Sequence, residues 1–336
     1  MTGGGDCPGL NPTIRAIVRK ALNVGVKVTG IRNGWRGIIK KETVKLDLNS
    51  VSGILPKGGT ILGTSRTNPY KNKGDLKKIK ENLRSLKLDA LIAIGGDDTL
   101  GAAYKLSMDG VHTVGIPKTI DNDLSCTDFT FGFDTAVNIA TEAIDRLHTT
   151  AESHHRIMVV EIMGRHAGWI ATYAGIAGGA DIILIPEVPV DLKDICGTIK
   201  KRHARGKDFS LVVVSEGAKL KKQNLILKTK KKDAFGNVLL GGIGNIIGEE
   251  LEKRTGYETR VTVLGHVQRG GTPSAFDRVL ATRFGVKAVE LVLKGDFGKM
   301  VALKGNKIIS VPLKDATGKT KTVDKGLYDI ARIFFG

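Results

Sequence analysis

The sequence predicts an α/β fold with mainly parallel sheets, and three observations carry that reading. Short continuous apolar runs recur at 26–31, 88–94, 111–116, 157–162, 182–185, 211–214 and 261–264. Runs without polar alternation mark strands covered on both faces, as parallel strands are. Helical patterns lie between several of them, notably at 134–152, 192–205 and 243–254, and alternating strand and helix builds a parallel sheet. The length, 336 residues, suits about two domains, each large enough for its own core.

Taken in order, the first helix is expected to start near Pro12. Asn11 would cap it, and proline is tolerated at a first helical position because its missing N–H has no partner there. Ile14, Ile17, Val18 and Ala21 form one apolar stripe, and Gly25 follows as a stop. The polar segment 219–237 breaks the alternation and is expected as an exposed excursion. Segment 301–313 around Gly305-Asn306 predicts a hairpin, and 323–334 a closing helix.

Composition sets the class. With 41% hydrophobic and 26% charged residues, the chain is not broadly disordered. No apolar run approaches the roughly 18 residues of a membrane span. Met1-Thr2-Gly3-Gly4-Gly5-Asp6 has no basic region before an apolar stretch, so a signal peptide is not expected. Three scattered cysteines (Cys7, Cys126, Cys196) suit a reducing compartment, and a cytoplasmic location is expected. The net charge of +18 admits a nucleic-acid binder, an enzyme for anionic phosphorylated substrates, or a merely lysine-rich surface. Lysines outnumber arginines 35 to 17 and cluster in polar runs at 77–80 and 228–232, with no aromatic-basic interleaving. Nucleic acid and membrane are therefore not expected as partners.

Ligands of open parallel sheets bind beyond the carboxyl ends of the strands. Four places there carry chemistry. Gly3-Gly4-Gly5-Asp6-Cys7-Pro8-Gly9 precedes a helix, where backbone N–H groups can meet phosphate oxygens; a tight turn is the plain alternative. Gly95-Gly96-Asp97-Asp98-Thr99 places two carboxylates at a strand end, where Mg²⁺ with a phosphate chain would relieve their repulsion. Pro117-Lys118-Thr119-Ile120-Asp121-Asn122-Asp123 joins a cation suited to a transferring phosphoryl group with carboxylates able to take a hydroxyl proton. Last come scattered groups suited to a sugar phosphate. These are Met163-Gly164-Arg165, Arg156, Arg260 and the segment Gly265-His266-Val267-Gln268-Arg269-Gly270-Gly271, with Glu216 placed to accept from a sugar hydroxyl. No zinc spacing and no Gly-x-Ser-x-Gly elbow occurs.

With these motifs in order, the chain resembles the 6-phosphofructokinases from its first loop to its last helix. The resemblance implies two three-layer α/β/α domains with mainly parallel sheets. It assigns 1–133 plus 268–307 to the phosphoryl donor and 134–267 plus 308–336 to fructose 6-phosphate. It implies Mg²⁺-dependent phosphoryl transfer to the 1-hydroxyl of fructose 6-phosphate. Asp121 would be the general base, Asp97 the metal ligand, and Gly4 a contact of the donor phosphates. Thr119 and Asp121 would meet the reacting end of the sugar. Met163, Gly164 and Arg165 would line the sugar-phosphate site, with Arg165 also near the migrating group. Glu216 would hold a sugar hydroxyl, and Arg156, Arg260, His266 and Arg269 would grip the substrate, chiefly its 6-phosphate. Equivalents of Arg156 and Arg260 reach in from a neighbouring subunit, so a homodimer or homotetramer with shared sites is implied.

The family divides between ATP and inorganic pyrophosphate as donor. Members using ATP usually carry glycine at positions 98 and 118; here stand Asp98 and Lys118, as in pyrophosphate-dependent members. A carboxylate at 98 would crowd the α-phosphate of a nucleotide. Two unit charges about 4 Å apart interact by about 4 kcal/mol at an effective dielectric of about 20. That is about three orders of magnitude in affinity. Pyrophosphate ends before that point, and Lys118 would stabilise the departing orthophosphate. Pyrophosphate is therefore the expected donor, in a step that runs both ways; the ATP-dependent enzyme is the alternative.

One departure stands out. The family places a short apolar strand before the glycine loop, and here Met1 stands where that strand would be ending. Neighbouring strands are then expected to show unpaired edges, and the loop to be poorly anchored. Two other readings fit less. Lipid and NAD kinases share the Gly-Gly-Asp type strand end but lack the segments at 117–123 and 265–271. A non-enzymatic binding module would be expected to have lost Asp97 or Asp121.

Overall fold

The computed structural model describes residues 1–221, 236 and 240–336. In chain order the elements are α1 (Leu10–Asn23), β1 (Val28–Ile31), α2 (Gly34–Lys40), β2 (Thr43–Leu46), α3 (Asp75–Ser85), β3 (Leu91–Gly95), α4 (Asp97–Met108), β4 (Thr113–Pro117), α5 (Phe133–His154), β5 (Ile157–Ile162) and α6 (Trp169–Ala177). There follow β6 (Ile182–Leu184), α7 (Leu192–Ala204), β7 (Ser210–Ser215), α8 (Ile243–Thr255), β8 (Thr259–Val263), a 3-10 turn (Gly265–Arg269), α9 (Ala275–Leu293), β9 (Lys299–Lys304), β10 (Lys307–Pro312), α10 (Leu313–Ala316) and α11 (Lys325–Ile333). Most of the polar excursion expected at 219–237 lies outside the described residues.

Two four-stranded sheets organise the chain, in the orders β10-β9-β4-β3 and β6-β7-β5-β8. The second is wholly parallel, and the first is parallel except for the β9–β10 hairpin, which turns at Gly305-Asn306 as expected. The continuous apolar runs are explained by burial on both faces. Met158, Val160 and Ile162 of β5 enter one core, while Ile157 and Val159 enter another with Ile195, Ile199, Ile247 and Leu251 of α7 and α8. In the first sheet Ile94 and Val301 pack with α1 and α9, while Ala93 and Met300 pack with Leu100 and Leu106 of α4. Each sheet is thus the middle of three layers, as the fold class required. The hairpin keeps β10 in the first sheet, while α11 packs on α6 and β6 of the second.

Three expectations need correction. The run at 26–31 is no member of a large parallel sheet: β1 pairs antiparallel with β2 in a separate ribbon, and Val26 is exposed. Asn11 is no cap, because α1 starts at Leu10 after Gly9, whose left-handed backbone (φ 107°) puts a would-be Cβ 2.5 Å from the Phe131 ring. The Asn11 side chain instead donates to Lys57 O and Gly58 O and accepts from Ile61 N, clamping the 57–61 loop. Nor is the glycine loop loose. The Met1 amine donates to Ile92 O, Ile94 N to Met1 O, and Gly3 N to Ile94 O, so Met1–Gly3 pair in parallel along β3. Farther along that edge, a cavity of about 680 Å³ is lined by Ile14, Val18, Val28, Ile94 and Val292.

Buried acids tie a helix to a sheet and two helices to each other. The Glu161 carboxylate accepts from Gly242 N and Gly244 N, satisfying donors at the start of α8. Asp277 of α9 accepts from Thr135 N (2.9 Å) and Thr135 Oγ1 (2.5 Å) of α5. Burial pushes Asp277 up to about 6, from 3.8, against those hydrogen bonds. The folded chain therefore keeps a proton between about pH 4 and 6 that the unfolded chain has released, and stability falls as pH rises through that window. Asp277→Asn is expected to flatten this fall by about 2 kcal/mol, read from urea midpoints at pH 4.5 and 7.5.

Candidate active site

The glycine loop, the ends of β3 and β4, and the turns after β5 and β7 converge. Close approach explains the glycines: a Cβ on Gly3 or Gly95 would lie 2.7 or 2.3 Å from Thr99 of α4. Gly4 adopts φ 77° and is held by Gly4 N to Ser65 O and Thr64 Oγ1 to Gly4 O. Its amide is therefore already used, and what Gly4 offers a ligand is nearness rather than a donor. Cys7 packs beneath Gly132; burial pushes its thiol up to about 12, which leaves it inert.

Lys118, only 3% exposed, is the hinge between two motifs. Its Nζ donates to Gly3 O (3.0 Å) and Gly5 O, so the residue after β4 holds the glycine loop. Burial pulls its pKa down and the Arg269 charge adds to this, while Asp6 and Asp121 oppose it. Thr119 Oγ1 accepts from Asp121 N (3.0 Å) and fixes the backbone of the next acid. Asp121 is buried, and its Oδ1 has no partner among the described residues. An acceptor kept dry and unused costs stability, and such atoms mark places where a ligand completes the bonding. Burial, and then the Asp121 charge, push Asp123 up to about 7; Asp97 adds to this and Arg165 opposes it.

Asp97 and Asp98 begin α4, where the helix dipole favours acids. Asp97 is exposed and its Oδ1 accepts from Gly318 N (2.8 Å); Asp98 is half-buried. On the other side, Met163 packs on the core, and Gly164 (φ 151°) and Arg165 (φ 50°) form a turn. Glu216 holds that turn: its Oε1 accepts from Gly164 N (3.3 Å) and Arg165 N (3.0 Å). Burial raises its pKa against those two donors, and Asp121 adds to the rise.

The remaining cations divide. Arg269 reaches over the glycine loop, with Nη1 3.4 Å from Asp6 O, and His266 is exposed on the 3-10 turn. Arg156 and Arg260 are not brought to the site within this chain. Both pair with Glu258 at the amino ends of β5 and β8, whereas Arg165 follows the carboxyl end of β5. The six residues of β5 separate them, a span of about 20 Å at about 3.3 Å per residue.

Several residues that shape the site had no strong local signal. Thr64 and Ser65 hold the glycine loop from elsewhere in the chain, and Thr99 packs against its Gly3. Asn122, left-handed at φ 50°, separates the two acids; an asparagine between them was the available hint.

The phosphofructokinase family model matches residues 1–292. A pyrophosphate–fructose 6-phosphate 1-phosphotransferase of Streptomyces coelicolor is 59% identical over 338 residues, covering 100% of this chain and 98% of that protein. An ATP-dependent 6-phosphofructokinase of Mycobacterium leprae is 52% identical over 340 residues, with 100% and 98% covered. The solved phosphofructokinase of Saccharomyces cerevisiae superposes with a TM-score of 0.82 at 33% identity over 99% of this chain, which spans 46% of that yeast chain. No described helix is long and apolar enough to cross a membrane. The chain belongs to the phosphofructokinase family.

Proposed function

We propose that this chain transfers a phosphoryl group from pyrophosphate to the 1-hydroxyl of fructose 6-phosphate, giving fructose 1,6-bisphosphate and orthophosphate, in either direction. The observation that carries the reading is Lys118, an ammonium buried against the carbonyls of the glycine loop and three residues from Asp121. It joins the place where donor phosphates rest to the group that takes the hydroxyl proton. Asp98, half-buried at the start of α4, is the group that turns away a nucleotide. Relatives 50–59% identical to this chain carry names with either donor, so the choice rests on these two residues and on the higher identities of the pyrophosphate enzymes.

Asp121 accepts the proton of the sugar hydroxyl at its unpartnered Oδ1 as oxygen attacks phosphorus. Lys118 and Arg165 meet the charge that develops on the migrating group. Glu216 both shapes the Gly164–Arg165 turn and faces the sugar, while His266 and Arg269 hold the substrate. The residues also fit Mg²⁺. Among the described residues no three metal-ligating side chains cluster, and magnesium takes one or two carboxylates with phosphate and water. Asp97 would hold it, near acids whose mutual repulsion already raises Asp123. Bound there, the ion would neutralise phosphate charge. Arg156 and Arg260, a strand length from Arg165, would complete the site of a second copy of this chain, so the working enzyme is a homodimer or homotetramer acting in the cytoplasm.

The test is turnover with each donor at equal Mg²⁺. Pyrophosphate is expected to support turnover at least about 100-fold above ATP, and orthophosphate with fructose 1,6-bisphosphate to run the reverse reaction. Turnover with ATP and none with pyrophosphate would reject the donor.

A further inference from the structure

The closing segment of the chain packs on the turn that carries Asp121, and one residue there has no role in the chemistry above. Lys321 lies beyond the residues that the family model matches. Its Nζ donates to three oxygens at once: Asn122 Oδ1 (3.1 Å), Thr127 O (2.9 Å) and Asp128 O (2.9 Å). The face of Trp169 closes the fourth side, 5.1 Å from Nζ to the ring centre. The backbone is pinned as well, by Lys321 N to Asp123 O (2.8 Å) and Trp169 Nε1 to Lys321 O (2.9 Å).

This is a small cage of converging oxygens under an aromatic face. Oxygens arranged this way, two of them backbone carbonyls, suit a compact monovalent cation as well as an ammonium group. Asn122 is the link to function. Its Oδ1 accepts from Lys321 Nζ and from Thr130 N, and its backbone holds a left-handed φ of 50° between Asp121 and Asp123. Asparagine tolerates that conformation better than most residues with a Cβ, and here its side-chain oxygen is held from both sides, by Lys321 Nζ and by Thr130 N.

We infer that Lys321 is a positioning residue, a tethered monovalent cation whose ammonium cage fixes Asn122 and so sets the direction of the Asp121 carboxylate. This rests on the reading of Asp121 as the base. Removing the side chain would leave an oxygen-lined cage that a free potassium or ammonium ion can enter.

The test compares wild-type protein and Lys321→Ala with pyrophosphate and fructose 6-phosphate, in choline, potassium and ammonium chlorides at equal ionic strength. Wild-type turnover reports the proposed reaction independently and is expected to change less than about twofold among the salts. In choline, Lys321→Ala is expected to lose about 100-fold in kcat, the scale of a misplaced reacting group, with KM for fructose 6-phosphate within about threefold. Potassium or ammonium is expected to restore at least about tenfold of that loss. A kcat near wild type in choline, or a loss that no cation reverses, overturns the proposal. If Lys321→Ala does not fold in choline, refolding in potassium or ammonium chloride supports the cage, and failure to fold in every salt overturns it.

Discussion

Replacing Asp121 by serine is expected to lower kcat by about three orders of magnitude, within the range of a lost general base, while fructose 6-phosphate binds almost as before. The structure separates these two effects. Asp121 Oδ1 is buried and has no hydrogen-bond partner among the described residues, so its loss breaks no hydrogen bond of the fold there. In the proposed reading substrate grip falls instead to groups on other elements: the Gly164–Arg165 turn, which Glu216 holds, and His266 and Arg269. A second consequence follows from charge. Asp123 sits up at about 7 because of burial first and Asp121 next, so removing Asp121 moves Asp123 down. The serine variant should therefore unfold at an equal or higher temperature than the wild type at pH 7.5. Calorimetric titration with fructose 6-phosphate, single-turnover kinetics and a thermal melt check the three parts. Near-normal turnover would remove Asp121 as the base.

Asp98→Gly is expected to open the donor site to ATP, raising kcat/KM for ATP by up to about 1,000-fold, the factor equivalent to about 4 kcal/mol of repulsion. The gain should be smaller in high salt, because a half-buried carboxylate is partly screened. Turnover with pyrophosphate should change much less. Lys118 behaves differently. Because its Nζ ties the carbonyls of Gly3 and Gly5, Lys118→Gly should weaken both donors and lower the melting temperature. In the proposed reading Asp98 acts by exclusion, whereas Lys118 also holds the loop. Kinetics with both donors across the two single variants and the double variant, with melts alongside, resolve them. An Asp98→Gly enzyme no better with ATP than the wild type would refute exclusion by that carboxylate.

Much of this architecture was legible in the chain. The runs at 157–162 and 211–214 read as strands covered on both faces, and β5 and β7 do divide their side chains between two cores. The hairpin at Gly305-Asn306 and the helix at 192–205 were equally plain, since turn residues and helical patterns are local. The run at 26–31 misled because a short apolar run does not say which strand it pairs with, and β1 found β2 instead. Asn11 misled for a related reason. It has the chemistry of a cap, but its amide serves the backbone of the 57–61 loop, a partner 46 to 50 residues away.

By itself, the sequence determined the layer order and the kinds of group at the strand ends. Apolar periodicity and glycine spacing act over a few residues, and so can be read from a few residues. The tertiary structure alone decided which of those groups meet. It put Lys118 under the glycine loop, set Glu216 to hold the Arg165 turn, and caged Lys321, 199 residues away, on Asn122. It also kept Arg156 and Arg260 a strand length from Arg165. Hydrogen bonds and charges act over ångströms in space, and only the packed chain turns separation in sequence into such distances.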